Sequence, residues 1–182
     1  MKETALRIRI FGDPALRKKT RLVHKVTDSH RQALSSMAQL MYKGAGIGLA
    51  APQTGLNEAM IVVDIGSGLY KLINPKVVSM KGTQALSEGC LSIPGICIKV
   101  KRAKKIAVHA LDETGKPVKI QADDLLACVL QHEIDHLKGK LIVDYASLFV
   151  KLKIKNKLAA LRKRAKIELA EDAEPKTCQV QL

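Results

Sequence analysis

The feature that most restricts this chain is a short apolar run carrying four ionisable groups. Residues 124 to 138 read DLLACVLQHEIDHLK. Leu125, Leu126, Ala127, Cys128, Val129, Leu130, Ile134 and Leu137 leave a helix apolar on most sides, which predicts a central, buried helix. Asp123 or Asp124 can cap its start, and Gly139 can stop it. His132, Glu133, Asp135 and His136 then sit where unpartnered ionisable groups are costly. Two satisfied core histidines would be the plain reading. They would leave the Glu and the Asp without a reason to be there, so a bound metal is the better account.

His132-Glu133-Ile134-Asp135-His136 is H-E-x-x-H. Positions i and i+4 share a helix face, so the two imidazoles can reach one divalent ion and Glu133 can reach water beside it. A catalytic site needs a third protein ligand. The longer pattern H-E-x-x-H-x-x-G-x-x-H holds as far as Gly139, but its last position is Ile142. Cys128 is excluded by geometry, because the helix rises roughly 12 Å between residues 128 and 136. The candidates that remain are Cys90, Cys97 and His109. Cys90 has suggestive surroundings, with Gly89 before it and Pro94-Gly95 forcing a turn after it. A lone cysteine is more often a small buried hydrophobe, and spacing alone does not choose.

Around this helix the pattern is mixed. Residues 28 to 42 have helical spacing after a cap at Asp28 or Ser29. A Gly-rich break follows at 44 to 48. MIVVDIG at 60 to 66, YKLIN at 70 to 74 and the stretch from Ile96 to Leu111 read as strands, and Asp112-Glu113-Thr114-Gly115 as a hairpin turn into PVKIQA. The expected fold class is α+β, antiparallel strands packed around the central helix with N-terminal and C-terminal helices. One domain over 1–170 is expected, including a basic C-terminal helix at 147–170, with 171–182 as a frayed tail.

Between Tyr145 and Ile167 there are eight Lys and Arg residues and no acid. Leu148, Leu152, Leu158, Leu161 and Ala165 are expected to dock this helix. The formal net charge of +14 favours a polyanionic neighbour such as RNA, against the plain reading of a solvated face. Aromatic residues make up only 3%, so readout of a specific nucleic-acid sequence is not expected. The four cysteines form no disulfide framework, the N-terminus has no signal-peptide core, and no run is long enough to span a membrane. These point to a cytoplasmic protein.

Three segments now come together in order: Gly46-Ile47-Gly48-Leu49-Ala50-Ala51-Pro52-Gln53, Glu88-Gly89-Cys90-Leu91-Ser92, and Gln131-His132-Glu133-Ile134-Asp135-His136. They resemble the three motifs of the peptide deformylases, with matching spacing over roughly residues 5 to 150. The resemblance implies an α+β metallohydrolase that removes the formyl group from the N-terminal methionine of new polypeptides by metal-activated water. It implies Cys90 as third ligand beside His132 and His136, with iron(II) expected and zinc or nickel possible. It implies Glu133 as proton carrier, and the Gln53 amide and Leu91 N–H as donors to the oxyanion. Gly46, Gly48 and Gly89 would let backbone lie against an extended substrate, and Ile47, Leu125, Cys128 and Val129 would line a methionine slot. Where some members of the family carry a basic residue after the Cys motif, this chain has Ile96-Cys97-Ile98-Lys99. Arg102 is expected to pair with Glu88. The partners implied are nascent polypeptide N-termini and a ribosome contact through the basic helix, with no membrane. A downstream-ligand peptidase is disfavoured by Ile142, and a closed structural zinc site by its missing fourth ligand.

Overall fold

The computed structural model describes residues 6–173. The elements run α1 (Asp28–Lys43), β1 (Gly48–Ala50), β2 (Met60–Val63), β3 (Tyr70–Lys81), β4 (Gln84–Glu88), β5 (Ile98–Arg102), β6 (Lys105–Leu111), β7 (Pro117–Asp123), α2 (Asp124–Leu137) and α3 (Leu148–Ala173). Five strands form an antiparallel sheet in the order β1-β2-β3-β6-β7, and β4 and β5 pair separately. This is the expected α+β arrangement.

Strand periodicity explains how the larger sheet takes a helix on each face. Side chains alternate along a strand. Leu49, Met60, Val62 and Ile73 point into one apolar cluster with Leu34, Met37 and Met41 of α1. Ala50, Ile61, Val63 and Leu72 point into another with Ala127, Leu130, Ile134 and Leu137 of α2. All four residues of β2 are therefore buried. On α2, residues 127, 130, 134 and 137 follow the i, i+3, i+4 rule, so one stripe is spent on the sheet. Cys128, His132 and His136 are left to face the β4–β5 side.

Several boundaries move. The β-branched stretch from Ile96 to Leu111 is two strands in two sheets. The break falls at Ala103, whose N–H and C=O bond to the Gln131 side chain of α2 at 3.1 and 2.9 Å instead of continuing a ladder. Helix α1 is capped by Thr27, one residue before the expected Asp28; the Thr27 N–H donates to His30 Nδ1 at 3.0 Å. The 112–115 turn forms as expected, with the Asp112 carboxylate accepting from the backbone N–H groups of Thr114 and Lys116.

Helix α3 corrects the docking face. Val150, Ile154, Leu158 and Leu161 pack on the cluster that includes Phe11, Ile93 and Val100, and Ala165 is buried farther along. Leu148 and Leu152 are instead 80% and 70% exposed. The spacing 150, 154, 158, 161, 165 is a continuous helical stripe, which positions 148 and 152 miss by about half a turn. The helix also continues to Ala173, so residues 171–173 are helical. The remainder of the expected tail, 174–182, lies outside the described residues.

The N-terminal segment crosses over the end of α2. Gly139, at φ +71°, lies against the Arg17 backbone so closely that a Cβ would collide with the Arg17 carbonyl. Replacing Gly139 by Ala should lower stability by ~1–3 kcal/mol, through both the left-handed backbone and the clash. Thermal unfolding of Gly139→Ala against wild type checks this; an unchanged melting temperature would contradict it.

Candidate metal centre

Three of the candidate donors converge. The thiol of Cys90 and one ring nitrogen from each of His132 and His136 lie within 4.8 Å of one another. Cys90 Sγ is 3.4 Å from His136 Nε2. The other candidates are elsewhere: Cys97 is exposed and outside the triad, and His109 is exposed on β6, with Lys76 and Lys119 as its strand neighbours. Cys128 stays out of the triad as expected. Its thiol donates to Glu88 Oε1 at 3.2 Å, and burial, followed by the nearby Glu88 carboxylate, pushes it up to about 12.

A string of buried charge holds these groups in place. His132 turns Nδ1 to Glu88 Oε2 at 2.8 Å, which frees Nε2 for the triad. Arg102 grips both oxygens of Glu88, at 2.5 and 2.9 Å, as the expected pair. Its third contact is Asp135 at 2.8 Å, and Asp135 in turn accepts from the Tyr145 hydroxyl at 2.7 Å. Sequence reasoning misses the Glu88–His132 bond and the Asp135–Tyr145 bond. Asp135 carries a signal, since it lies three residues after His132 on the same helix. Ser92, fully buried, is also missed as a partner of Gln53.

The donor chemistry fits a divalent cation. Burial, then the positive surroundings, holds His136 well below the usual imidazole value, which favours the neutral ring that cation binding requires. Burial would lower His132 too, but the Cys90 thiol and the Glu88 carboxylate outweigh it and favour a positive charge there. Glu133 is wholly enclosed beside the triad. Desolvation by burial pushes its carboxyl up to about 7, and its Oε2 has no hydrogen-bond partner among the described residues. A cysteine sulfur, two imidazoles and an orphaned carboxyl oxygen on one spot suit zinc or iron(II) rather than calcium or magnesium.

Cys90 and His132 of the triad, with Glu133, line a cleft of about 480 Å³. Ile47, Leu125, Cys128 and Val129 line it, as do Gly46, Gly48 and Gly89. Gly48 has a stringent reason to be glycine. A Cβ there would collide with Glu133 Oε1 and come within 2.9 Å of Val129 Cγ1. At Gly46 a Cβ would lie 2.8 Å from Leu91. Gln53 Oε1 accepts from the Ala50 N–H at 2.8 Å, which aims its Nε2 at Ser92 Oγ (3.1 Å) and Cys90 Sγ (3.5 Å).

Known proteins resemble this chain in sequence and fold. The family model described as polypeptide deformylase matches residues 5–151. The chain belongs to the polypeptide deformylase family. A peptide deformylase of Thermoanaerobacter pseudethanolicus is 48% identical over 143 residues, covering 79% of this chain and 90% of that one. The crystal structure of peptide deformylase from Thermus thermophilus superposes with TM-score 0.84 at 34% identity, covering 87% of this chain and 98% of that one. The peptide deformylase structure from Legionella pneumophila gives TM-score 0.82 at 37% identity, covering 94% and 100%. Deformylases are metal-dependent hydrolases that remove the N-formyl group from new polypeptides. The family match ends four residues into α3, so most of that helix lies beyond it. Among the described residues no helix is long and apolar enough to cross a membrane.

Gly48→Ala should displace the Glu133 carboxylate while leaving the three donors in place. Deformylase activity is expected to fall ~100-fold, the scale on which small misplacements of a reacting group act, with metal content unchanged. Formate release and metal analysis on one preparation read both; unaltered activity would contradict the packing argument.

Proposed function

We propose that Cys90, His132 and His136 hold one divalent metal ion and that Glu133 moves protons for hydrolysis of N-formylmethionyl polypeptides. The observation that carries this is the 4.8 Å donor triad with the enclosed Glu133 carboxylate beside it. A metal held there supplies a Lewis acid that makes water nucleophilic near neutral pH. Iron(II) is the expected ion, and zinc or nickel suits the same donors.

The chain's own residues do the rest. Glu133 takes a proton from the attacking water as the oxygen meets the formyl carbon, then returns a proton to the departing amine. Burial suits it to this exchange, because a carboxyl with a raised affinity can both accept and release near neutrality. Gln53 Nε2 and the Leu91 N–H donate to the oxygen that becomes charged. Gln53 is pre-aimed for this by its bond from Ala50, so little reorganisation is needed as charge develops. The substrate lies extended along the free edge of β1, with Gly46, Gly48 and Gly89 allowing close approach. Its methionine side chain occupies the part of the cleft lined by Ile47, Leu125, Cys128 and Val129. The formyl end goes deepest, beside Glu133.

Glu133→Gln keeps the side-chain volume and removes the proton carrier. Its kcat on formyl-Met-Ala-Ser should drop by ~10²–10⁴-fold with full metal content. Retained activity would sink the assigned role. Metal-loaded wild type that released no formate would sink the whole reading.

The same proposal has the enzyme working in the cytoplasm, with nascent N-termini as partners and α3 as a contact to the ribosome. Packing alters which cations are free for that contact. Arg162 stacks over Phe11 at 5.0 Å, Arg164 pairs with Glu168, and Lys157 reaches the Gly95 carbonyl at 3.4 Å. Lys151, Lys155, Lys163 and Lys166 remain exposed. Changing these four to Ala should weaken ribosome co-sedimentation ~10-fold or more and flatten its salt dependence, while leaving activity on the short peptide intact. Equal loss of binding and activity would count against a separate contact.

A further inference from the structure

The centre described above uses one side of α2. On the other side, where the end of α2 meets the β3–β4 turn, lies a second cavity of about 490 Å³. Its rim carries Lys81, Lys101, Lys138 and Lys140, which come from three separate parts of the chain. The ion pairs of this region go to Arg102, Lys104 and Lys105, and none among the described residues engages those four lysines. Arg102 forms part of the cavity wall, and Asp135 is the one carboxylate lining it. Asp135 is already committed to Arg102 and the Tyr145 hydroxyl.

Lysines near the end of a helix are favoured by its dipole, and this accounts for Lys138 and Lys140. It does not account for Lys81 at the end of β3 or Lys101 in β5, which converge on the same hollow. Four ammonium groups without an ion-pair partner among the described residues make this concavity a region of positive potential, which favours an anion. A flat basic face would suit an extended polymer. A hollow of this size suits a compact, multiply charged group. Its apolar wall of Val77, Met80 and Ile134 leaves room for a flat ring beside that group.

We propose that this cavity is a polyphosphate-binding site, taking either inorganic polyphosphate or the phosphate tail of a nucleotide. The charges that would hold the ligand are independent of the metal triad. The wall they share with it is Arg102, whose far edge grips Glu88.

The test is calorimetric titration of the metal-loaded, full-length protein with tripolyphosphate and, separately, with adenosine triphosphate. Three proteins are compared: wild type, the triple variant Lys81→Ala/Lys138→Ala/Lys140→Ala, and a charge-matched triple variant on α3, Lys155→Ala/Lys163→Ala/Lys166→Ala. Formate release from the short peptide reports that all three are folded. The cavity variant should bind both probes ~10-fold or more weakly than wild type, and the α3 variant within about twofold of it. Tighter binding of the nucleotide would identify the apolar wall as part of the site, and tighter binding of tripolyphosphate would identify the bare anion as the ligand. Equal losses in the two variants would reduce the effect to diffuse charge and overturn the proposal. So would the lack of saturable binding to wild type.

Discussion

The arrangement depends on one buried ion pair, Arg102 with Glu88, each no more than 7% exposed. Glu88 ends β4, Arg102 ends β5, and the carboxylate's second task is to hold His132 of α2. The small sheet and the central helix therefore meet at one carboxylate. Burial alone would raise Glu88, but the His132 and Arg102 bonds outweigh it and hold the carboxyl at about 2. Burial would likewise lower Arg102, and Glu88 and Asp135 reverse that. Such a pair contributes little net stability over an apolar replacement, whereas removing one member strands the other at ~3–5 kcal/mol. Its value lies in orientation. It fixes the ring of His132 with the correct nitrogen inward, as a ligand imidazole requires.

That dependence explains why α2 can be both apolar and ionisable. The sheet-facing stripe of Ala127, Leu130, Ile134 and Leu137 carries the burial energy. The opposite stripe carries Cys128, His132 and His136, and among the described residues near it only Glu133 and His136 leave a buried side-chain atom without a hydrogen-bond partner. Those atoms are Glu133 Oε2 and His136 Nδ1. A folded protein rarely leaves buried polar atoms in that state without a use for them.

Much of this is legible in the chain. A 3.6-residue period with four ionisable groups inside it specifies both the buried helix and a metal. Alternation in PVKIQA specifies β7, and Asp112 with Gly115 specifies the turn before it. The third donor is not legible from spacing, because Cys90, Cys97 and His109 are all distant in sequence and only tertiary packing separates them; the motif resemblance has to choose. The split of the Ile96–Leu111 stretch is invisible for a related reason. It is caused by the Gln131 side chain, which sits on another element and takes both backbone groups of Ala103. The docking face of α3 is misjudged when leucine is favoured over Val150 and Ile154, although these complete the periodic stripe and Leu148 and Leu152 do not.

The Gly-rich segment shows the same division between what composition reveals and what packing decides. In the sequence its glycines read as room for substrate backbone. The structure adds a second demand, because the space over Gly48 is filled by the Glu133 carboxylate and by Val129 of α2. Strand β1 is an edge strand, paired on one side with β2 and free on the other. A side chain at 48 would separate that free edge from α2 and open the enclosure that keeps Glu133 dry. The raised affinity of Glu133 for a proton comes first from that enclosure. The residue proposed to let an extended peptide approach is thus also packed against the group whose proton affinity the enclosure raises. The room left beside β1 and the enclosure of Glu133 are bound together at a single missing methyl group.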